Sequence, residues 1–299
     1  CCISLWVFGL SVPAWALGEW SSPPPDSALL ILATGADTGY VHPRGCFKGN
    51  GGMLYRPAFE QWLGRNEAAF ERIWLSAGNV LSHPETRDGA PAREVLDALI
   101  KTPYTAVAVG TFELEALGTG LVGLARELPF PLLATNLRIH ETGKPALAEW
   151  VVRETAAGKI GILAVLPHQP SSLWADTTTG TIVTVPPGPA VADAIRRLRP
   201  SVDVLVLLSS LPYGDLRAEL AGWRGIDIVL ASWSSYTQDE VERHWGPPVL
   251  WLGYAGQYLG RVAITRSHEI QDISLVPVLD DFPIDPTTGQ PTNERTSRQ

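Results

Sequence analysis

The 299-residue chain is short of lysine, of cysteine and of positive charge in general. Only four of its 23 basic residues are Lys, they form no long run, and 31 acidic residues leave a net charge of −8. Binding a phosphate backbone needs a basic face, so nucleic acid is excluded as a partner. Three cysteines cannot build a disulfide framework, and no CxxC, CxxCH or zinc-finger spacing occurs. That excludes c-type haem, zinc ribbons and iron–sulfur clusters. The six histidines show neither HxH nor HExxH spacing. Internal repeats and low-complexity tracts are also missing. What is present is a 45% hydrophobic share against 18% charge, the composition of a globular chain long enough to bury a full core.

Residues 3–12 form an apolar run too short to cross a bilayer as a helix, and Ala14-Trp15-Ala16 follows it with the small-x-small pattern of signal cleavage. The expectation is a signal peptide over 1–16 and a periplasmic or secreted protein with no membrane span after cleavage. A buried N-terminal strand is the alternative. Cleavage after Ala16 removes Cys1 and Cys2 and leaves Cys46 as the sole thiol. Residues 17–27, containing SSPPPDS, read as a Pro/Ser-rich linker, because consecutive prolines favour extended geometry. One domain is expected over 28–280. Residues 281–299, rich in Pro, Thr and Asn, read as a disordered tail or linker.

Within the domain, short apolar runs end in small or polar residues: 28–34, 72–78, 104–110 and 131–136, then 159–165, 202–210 and 226–232. Such runs read as buried strands of sheets covered on both faces. Between them, 54–70 places Leu54, Ala58 and Trp62 on one helical stripe, and 91–101 carries Val95, Leu96, Leu99 and Ile100. Helices are also expected at 189–199, with Val191, Ala194, Ile195 and Leu198 facing the core, and at 214–222. From 248 onward three consecutive antiparallel strands are expected at a sheet end. The reading is α/β, a four-layer α-β-β-α sandwich of two mixed sheets.

Ligands of open α/β sheets bind beyond the carboxyl ends of the strands. Those ends carry TGADTGYVHP (34–43), SAGN (76–79), GTFELEALG (110–118), Asn136, LSS (208–210) and ASWSS (231–235), with Gly51-Gly52 before the first helix. In this order the set resembles the secreted 5′-nucleotidase/UDP-sugar hydrolase family of metallophosphoesterases, whose motifs run TNDxHGxxxP, a glycine pair, DxGD, GNHEFDxG, Asn, LSH and GGHSH. GYAGQYLGRVAI (253–264) is similar to the family's QAGxYGxYLGRLxL. A branch of that family with TGNxxGYxxPCGC resembles TGADTGYVHPRGC (34–46), with Arg44 in place of its first cysteine.

The resemblance implies a metallo-dependent phosphatase-like fold and a lineage that uses two divalent metals held by Asp and His. Carried over by position, the metal-binding Asp and His residues fall on Ala36, Thr38, Asn79, Ser210, Trp233 and Ser235. The GNH asparagine falls on Thr111, the catalytic His on Phe112 and its orienting Asp on Glu115. Ala, Phe and Trp ligate no metal, and neutral hydroxyls are poor ligands for Zn, Mn or Fe. The expectation is therefore no metal or other cofactor. Catalysis is expected to be lost, with Phe112 and Glu115 as its degenerate positions, and a small molecule or protein partner bound in a cleft. Cleft candidates are Thr34, Asp37, Thr38, Asn79, His83, Thr111, Glu113, Asn136, Ser210, Trp233 and Ser235. One alternative is a phosphoester or nucleotide hydrolase with a reduced site around Asp37, Asn79, Glu113 and Glu115. Another is a periplasmic redox-associated domain using Cys46, which Arg44 and Lys48 would activate as thiolate; a small buried thiol is the plainer reading. Trp174, Trp233 and Trp245 near loops are candidates to line a sugar or aromatic site, whereas Trp62, Trp74 and Trp251 read as core.

Overall fold

A computed structural model describes residues 20–43, 51–82, 89–169, 172, 174–176, 180–232, 241–244, 246–278 and 283–284. The first half runs β1 (Ser27–Thr34), α1 (Tyr55–Asn66), β2 (Glu71–Ser76), α2 (Ala92–Leu99), β3 (Tyr104–Ala108), α3 (Thr111–Leu117), α4 (Gly120–Glu127) and β4 (Leu132–Leu133). It continues through β5 (Leu137–Ile139), β6 (Trp150–Thr155), β7 (Gly158–Val165), β8 (Trp174–Asp176) and β9 (Gly180–Thr184). The second half adds α5 (Pro187–Leu198), β10 (Val204–Ser209), α6 (Tyr213–Leu220), β11 (Ile228–Ala231), β12 (Val241–Glu242), β13 (Val249–Trp251), β14 (Tyr258–Thr265) and β15 (Ile270–Pro277).

Two six-stranded sheets form, ordered β15-β14-β1-β2-β3-β4 and β12-β13-β11-β10-β7-β6, beside a small β5-β9-β8 sheet. Strands β1 to β4 are mutually parallel, as are β7, β10, β11 and β13; β14, β15, β6 and β12 run antiparallel to their neighbours.

Three apolar clusters fill the spaces between four layers. In β1, Leu30 and Leu32 face one way and pack with Phe59 and Leu63 of α1, Val95 and Leu99 of α2, and Leu121 of α4. Leu29, Ile31 and Ala33 face the other way and meet Ile160, Ile162, Val206 and Leu230 of the second sheet. The outer face of that sheet, Leu163, Leu205 and Leu207, packs on Val191, Ile195, Leu216 and Leu220 of α5 and α6. A strand with both faces covered has no polar positions to alternate, which is why β1 reads as an unbroken apolar run. The α-β-β-α sandwich is thus the observed architecture.

Several expectations need correction. In α1 the fully buried stripe is Tyr55, Phe59 and Leu63, one residue on from Leu54, Ala58 and Trp62, which are half-buried. The rotation seats the larger rings in the core and carries Arg56 inside with them. Ile100 ends α2 exposed, and Ala98 takes its place in the core. The strands after 248 are not a single antiparallel meander. β13 is parallel to β11 in the second sheet, and only β14 and β15 close the first. Residues 20–26, expected as a linker, lie on the domain: the Trp20 ring meets Phe59 edge-on at 5.0 Å, and the Arg261 guanidinium sits 5.2 Å from the Trp20 centroid. Trp74 and Trp251 are core residues as expected.

Candidate functional site

The carboxyl ends of both sheets meet at one place. Gly35, directly after β1, is so close to the second sheet that a Cβ on it would lie 3.0 Å from Ser232 Cα and 3.2 Å from Ala77 Cβ. The loops after β1 and β2 run side by side: Ala36 N–H donates to Gly78 O (2.9 Å), Thr38 N–H to Asn79 O (2.9 Å) and Gly39 N–H to Val80 O (2.7 Å). Ala36, Thr38 and Asn79 hold φ of 50°, 49° and 55° there. Asn tolerates that left-handed region, but Ala and Thr are strained in it, and such strain gathers at functional sites. The glycine pair before α1 lets the 253–257 loop come close: Gly52 N–H donates to Ala255 O at 3.0 Å, and a Cβ on Gly52 (φ +79°) would lie 2.7 Å from Val41 O.

Asp37 is not an open acid. Its carboxylate receives both terminal nitrogens of Arg56, Nη1 to Oδ2 at 3.0 Å and Nη2 to Oδ1, and both side chains are fully buried. Arg56 Nη1 also donates to the Tyr104 hydroxyl (2.9 Å), which shares a 2.8 Å bond with Thr34 Oγ1. Burial opposes the Arg56 charge, but the fields of Asp37, Tyr104 and Tyr55 together hold its pKa well above the ordinary guanidinium value. Burial pushes the Tyr55 hydroxyl up to about 12 and raises Tyr104 as well.

Glu113 is equally committed. Its Oε2 accepts the N–H groups of Asn79 (2.9 Å) and Gly110 (2.7 Å), and its Oε1 accepts that of Leu81 (2.8 Å). Burial raises its pKa, and the backbone donors from 79, 80, 81 and 110 pull against that rise. The Gly110–Glu113 contact is the glutamate half of a helix capping box, a role legible in the spacing G-x-x-E. Asn79 accepts the Phe112 N–H on Oδ1 at 3.3 Å and donates from Nδ2 to Ser232 Oγ at 3.2 Å.

Asn136 is buried, donating to Leu166 O (2.8 Å) and Val185 O (3.0 Å) and accepting the Leu166 N–H (3.1 Å). Ser210 Oγ donates to Val165 O at 3.3 Å. Thr38 is buried, and its Oγ1 has no hydrogen-bond partner. Thr111 and Phe112 are half-buried at the start of α3, and Glu115 is exposed. The structure therefore brings Thr34, Asp37, Thr38, Asn79, Thr111, Glu113, Asn136 and Ser210 to the strand ends. Cys46, His83, Trp233 and Ser235 lie outside the described residues. Ser232, within the strand-end segment 231–235, joins the strand-end group through Asn79, whereas Arg56 and Tyr104 belong to the site and were missed by sequence reasoning. A charged residue in the first turn of a helix normally signals a solvated face, so nothing local marked Arg56.

No family model matches the chain, and no curated protein matches it. Solved structures do match. The sulfate thiohydrolase SoxB of Thermus thermophilus superposes with a TM-score of 0.68 at 15% identity, over 87% of this chain and 58% of its own. A 5′-nucleotidase precursor of Thermus thermophilus gives 0.65 at 19% identity, over 84% and 54%. The calcineurin-like phosphoesterase YfkN of Bacillus subtilis gives 0.65 at 14% identity, over 85% and 92%. The fold is that of the metallo-dependent phosphatases. At these identities the likeness concerns the fold, and the chain spans a little over half the length of the first two relatives. Within this metallo-dependent phosphatase fold, no three His, Cys, Asp or Glu residues gather into a cluster among the described residues. Among them, too, no helix is long and apolar enough to cross a membrane.

Proposed function

We propose that the chain is a secreted or periplasmic metallophosphoesterase-fold protein that has exchanged its dimetal centre for internal contacts and acts by binding rather than by hydrolysis. One observation carries the reading: Asp37 and Glu113, the two buried carboxylates at the strand ends among the described residues, are both spent inside the protein, one on Arg56 and the other on three backbone N–H groups. A divalent ion needs carboxylate or imidazole donors with free lone pairs, and the other groups at these positions are a methyl, hydroxyls and amides. These donors do not fit a pair of ions. Among the described residues, Thr38, Asn79, Ser210 and Ser232 at the strand ends are uncharged, which suits an uncharged small molecule or protein segment.

The test is a phosphoesterase assay on p-nitrophenyl phosphate, bis-p-nitrophenyl phosphate, AMP and UDP-glucose with Mn, Zn or Ca added. The expected outcome is no metal-dependent turnover. Turnover that a chelator abolishes and added metal restores would overturn the reading and return the chain to the hydrolases.

A further inference from the structure

A cavity of about 270 Å³ lies at the β4 edge of the first sheet, and none of its lining residues belongs to the strand-end site. It is lined by Val122 and Ala125 of α4, Leu132 of β4, and Ala146 and Ala148 of the segment that bridges to the strand through Leu133 and Ala148. Ala148 is exposed, so the cavity opens to solvent. One charged side chain reaches it, that of Arg126, which is exposed in the last turn of α4.

Size and walls together disfavour water as the content. A water in the liquid takes about 30 Å³, and an apolar cavity of about 150 Å³ already admits benzene, so this one holds several waters or one small organic molecule. Each water needs about two to four polar partners, which methyl and leucyl walls do not offer. Replacing such poorly held water by a hydrocarbon is favourable.

Arg126 specifies the polar end. Among the described residues it has no ion-pair partner. Its own helix supplies none: the positions three and four away are Val122, Gly123, Pro129 and Phe130, and adjacent residues such as Glu127 do not face it. Glu149, next to Ala148, is engaged by Arg138 (2.9 Å) and Arg197 (3.3 Å). The backbone adds a donor. Pro131 O and Leu133 O accept the N–H groups of Val107 (3.1 Å) and Val109 (2.9 Å), so the N–H of Leu132 between them points away from β3, to the cavity side. A guanidinium beside a backbone N–H suits a carboxylate, which accepts from both. An ammonium is repelled there, and a phosphate dianion leaves half its charge unmet by a single cation.

We propose that this cavity binds a small monocarboxylate with an apolar body, its charge on Arg126 and its hydrocarbon against Val122, Ala125 and Leu132. The end of a helix also suits an arginine through the helix dipole, a role that needs no ligand, and the experiment separates the two. The full chain, labelled with nitrogen-15, is titrated with hexanoate and phenylacetate; acetate, hexanol, hexylammonium and hexyl phosphate serve as contrasts. The expected result is saturable shifts of the Leu132 and Ala148 amide resonances with at least one of the two carboxylates, at concentrations at least about tenfold below those any contrast needs. Arg126→Gln, a change on the surface, should weaken that binding about tenfold or more, and Ala148→Phe, which fills the mouth from its exposed side, should abolish it. No saturable shift with either carboxylate overturns the proposal. An equal response to hexanol, or unchanged affinity in Arg126→Gln, leaves the guanidinium with its helix-end role and overturns it as well. Tighter binding of hexyl phosphate makes this a phosphoester site instead, and unchanged affinity in Ala148→Phe places the carboxylate elsewhere.

Discussion

The two sheets close their carboxyl ends with different chemistry. At the end of the first sheet the contacts are ionic: Asp37 on Arg56, and the Glu113 carboxylate on the N–H groups of 79, 81 and 110. At the end of the second, those of the described residues are neutral. Ser210 bonds Val165, and Asn136, reaching over from the loop after β4 of the first sheet, holds the Leu166 and Val185 backbones. The difference lies in interdependence. A buried charge without its partner is far more costly than a buried amide without one, so the first end stands or falls as a unit while the second loses stability piecemeal.

Arg56→Met should give the largest effect, about 3–5 kcal/mol of destabilisation in urea unfolding, because it strands Asp37 without a counter-charge. The double change Arg56→Met with Asp37→Leu should recover most of that loss. Equal damage in single and double variants would break the ionic side of the comparison. Glu113→Ala should rank next at about 3 kcal/mol, since three buried donors lose their acceptor. Asn136→Ala should cost about 2 kcal/mol, and Ser210→Ala about 1 kcal/mol or less, in the same assay. A reversal of this order would mean that the second sheet, not the first, anchors the face.

Proton linkage sharpens the contrast, because the fully buried groups with raised pKa values, Tyr55, Tyr104 and Glu113, belong to the first. With its folded pKa raised, Glu113 binds its proton more tightly in the native state than unfolded. Its contribution is therefore fully present below the ordinary carboxylate range and is lost as pH rises through the raised value. The stability difference between wild type and Glu113→Gln should shrink over that rise. At the alkaline end Tyr55, pushed up to about 12 by burial, makes stability fall as pH climbs from the ordinary tyrosine value of 10.0 towards that value. The loss is about 3 kcal/mol, and Tyr55→Phe should flatten it in a pH-dependent unfolding series.

Much of this architecture is written in the chain. Unbroken apolar runs marked the central strands, and the Val191-Ala194-Ile195-Leu198 stripe of α5 was legible because its i, i+3, i+4, i+7 spacing has no competing face. In α1 two adjacent stripes were both apolar, and packing chose between them. β6 was missed because Val152, Arg153 and Glu154 lie exposed on an edge and give no burial signal. The strand ends identified Thr34, Asp37, Asn79, Glu113 and Asn136 as neighbours, but not what each does. Asp37 read as an available acid, since the residue that neutralises it lies 19 positions away on a helix. Sequence spacing shows which polar groups share a face; which are already satisfied depends on long-range contacts.

If internal contacts have taken the place of metal ions at the strand ends, a metal titration tests the exchange most directly. Purified protein is analysed for Zn, Mn and Fe, and its melting temperature is then followed as each ion is added. The predicted result is substoichiometric metal and no metal-linked rise in melting temperature. Two equivalents retained through purification, with a melting temperature that climbs on metal addition, would contradict it, since a native-state ligand must stabilise the fold it binds.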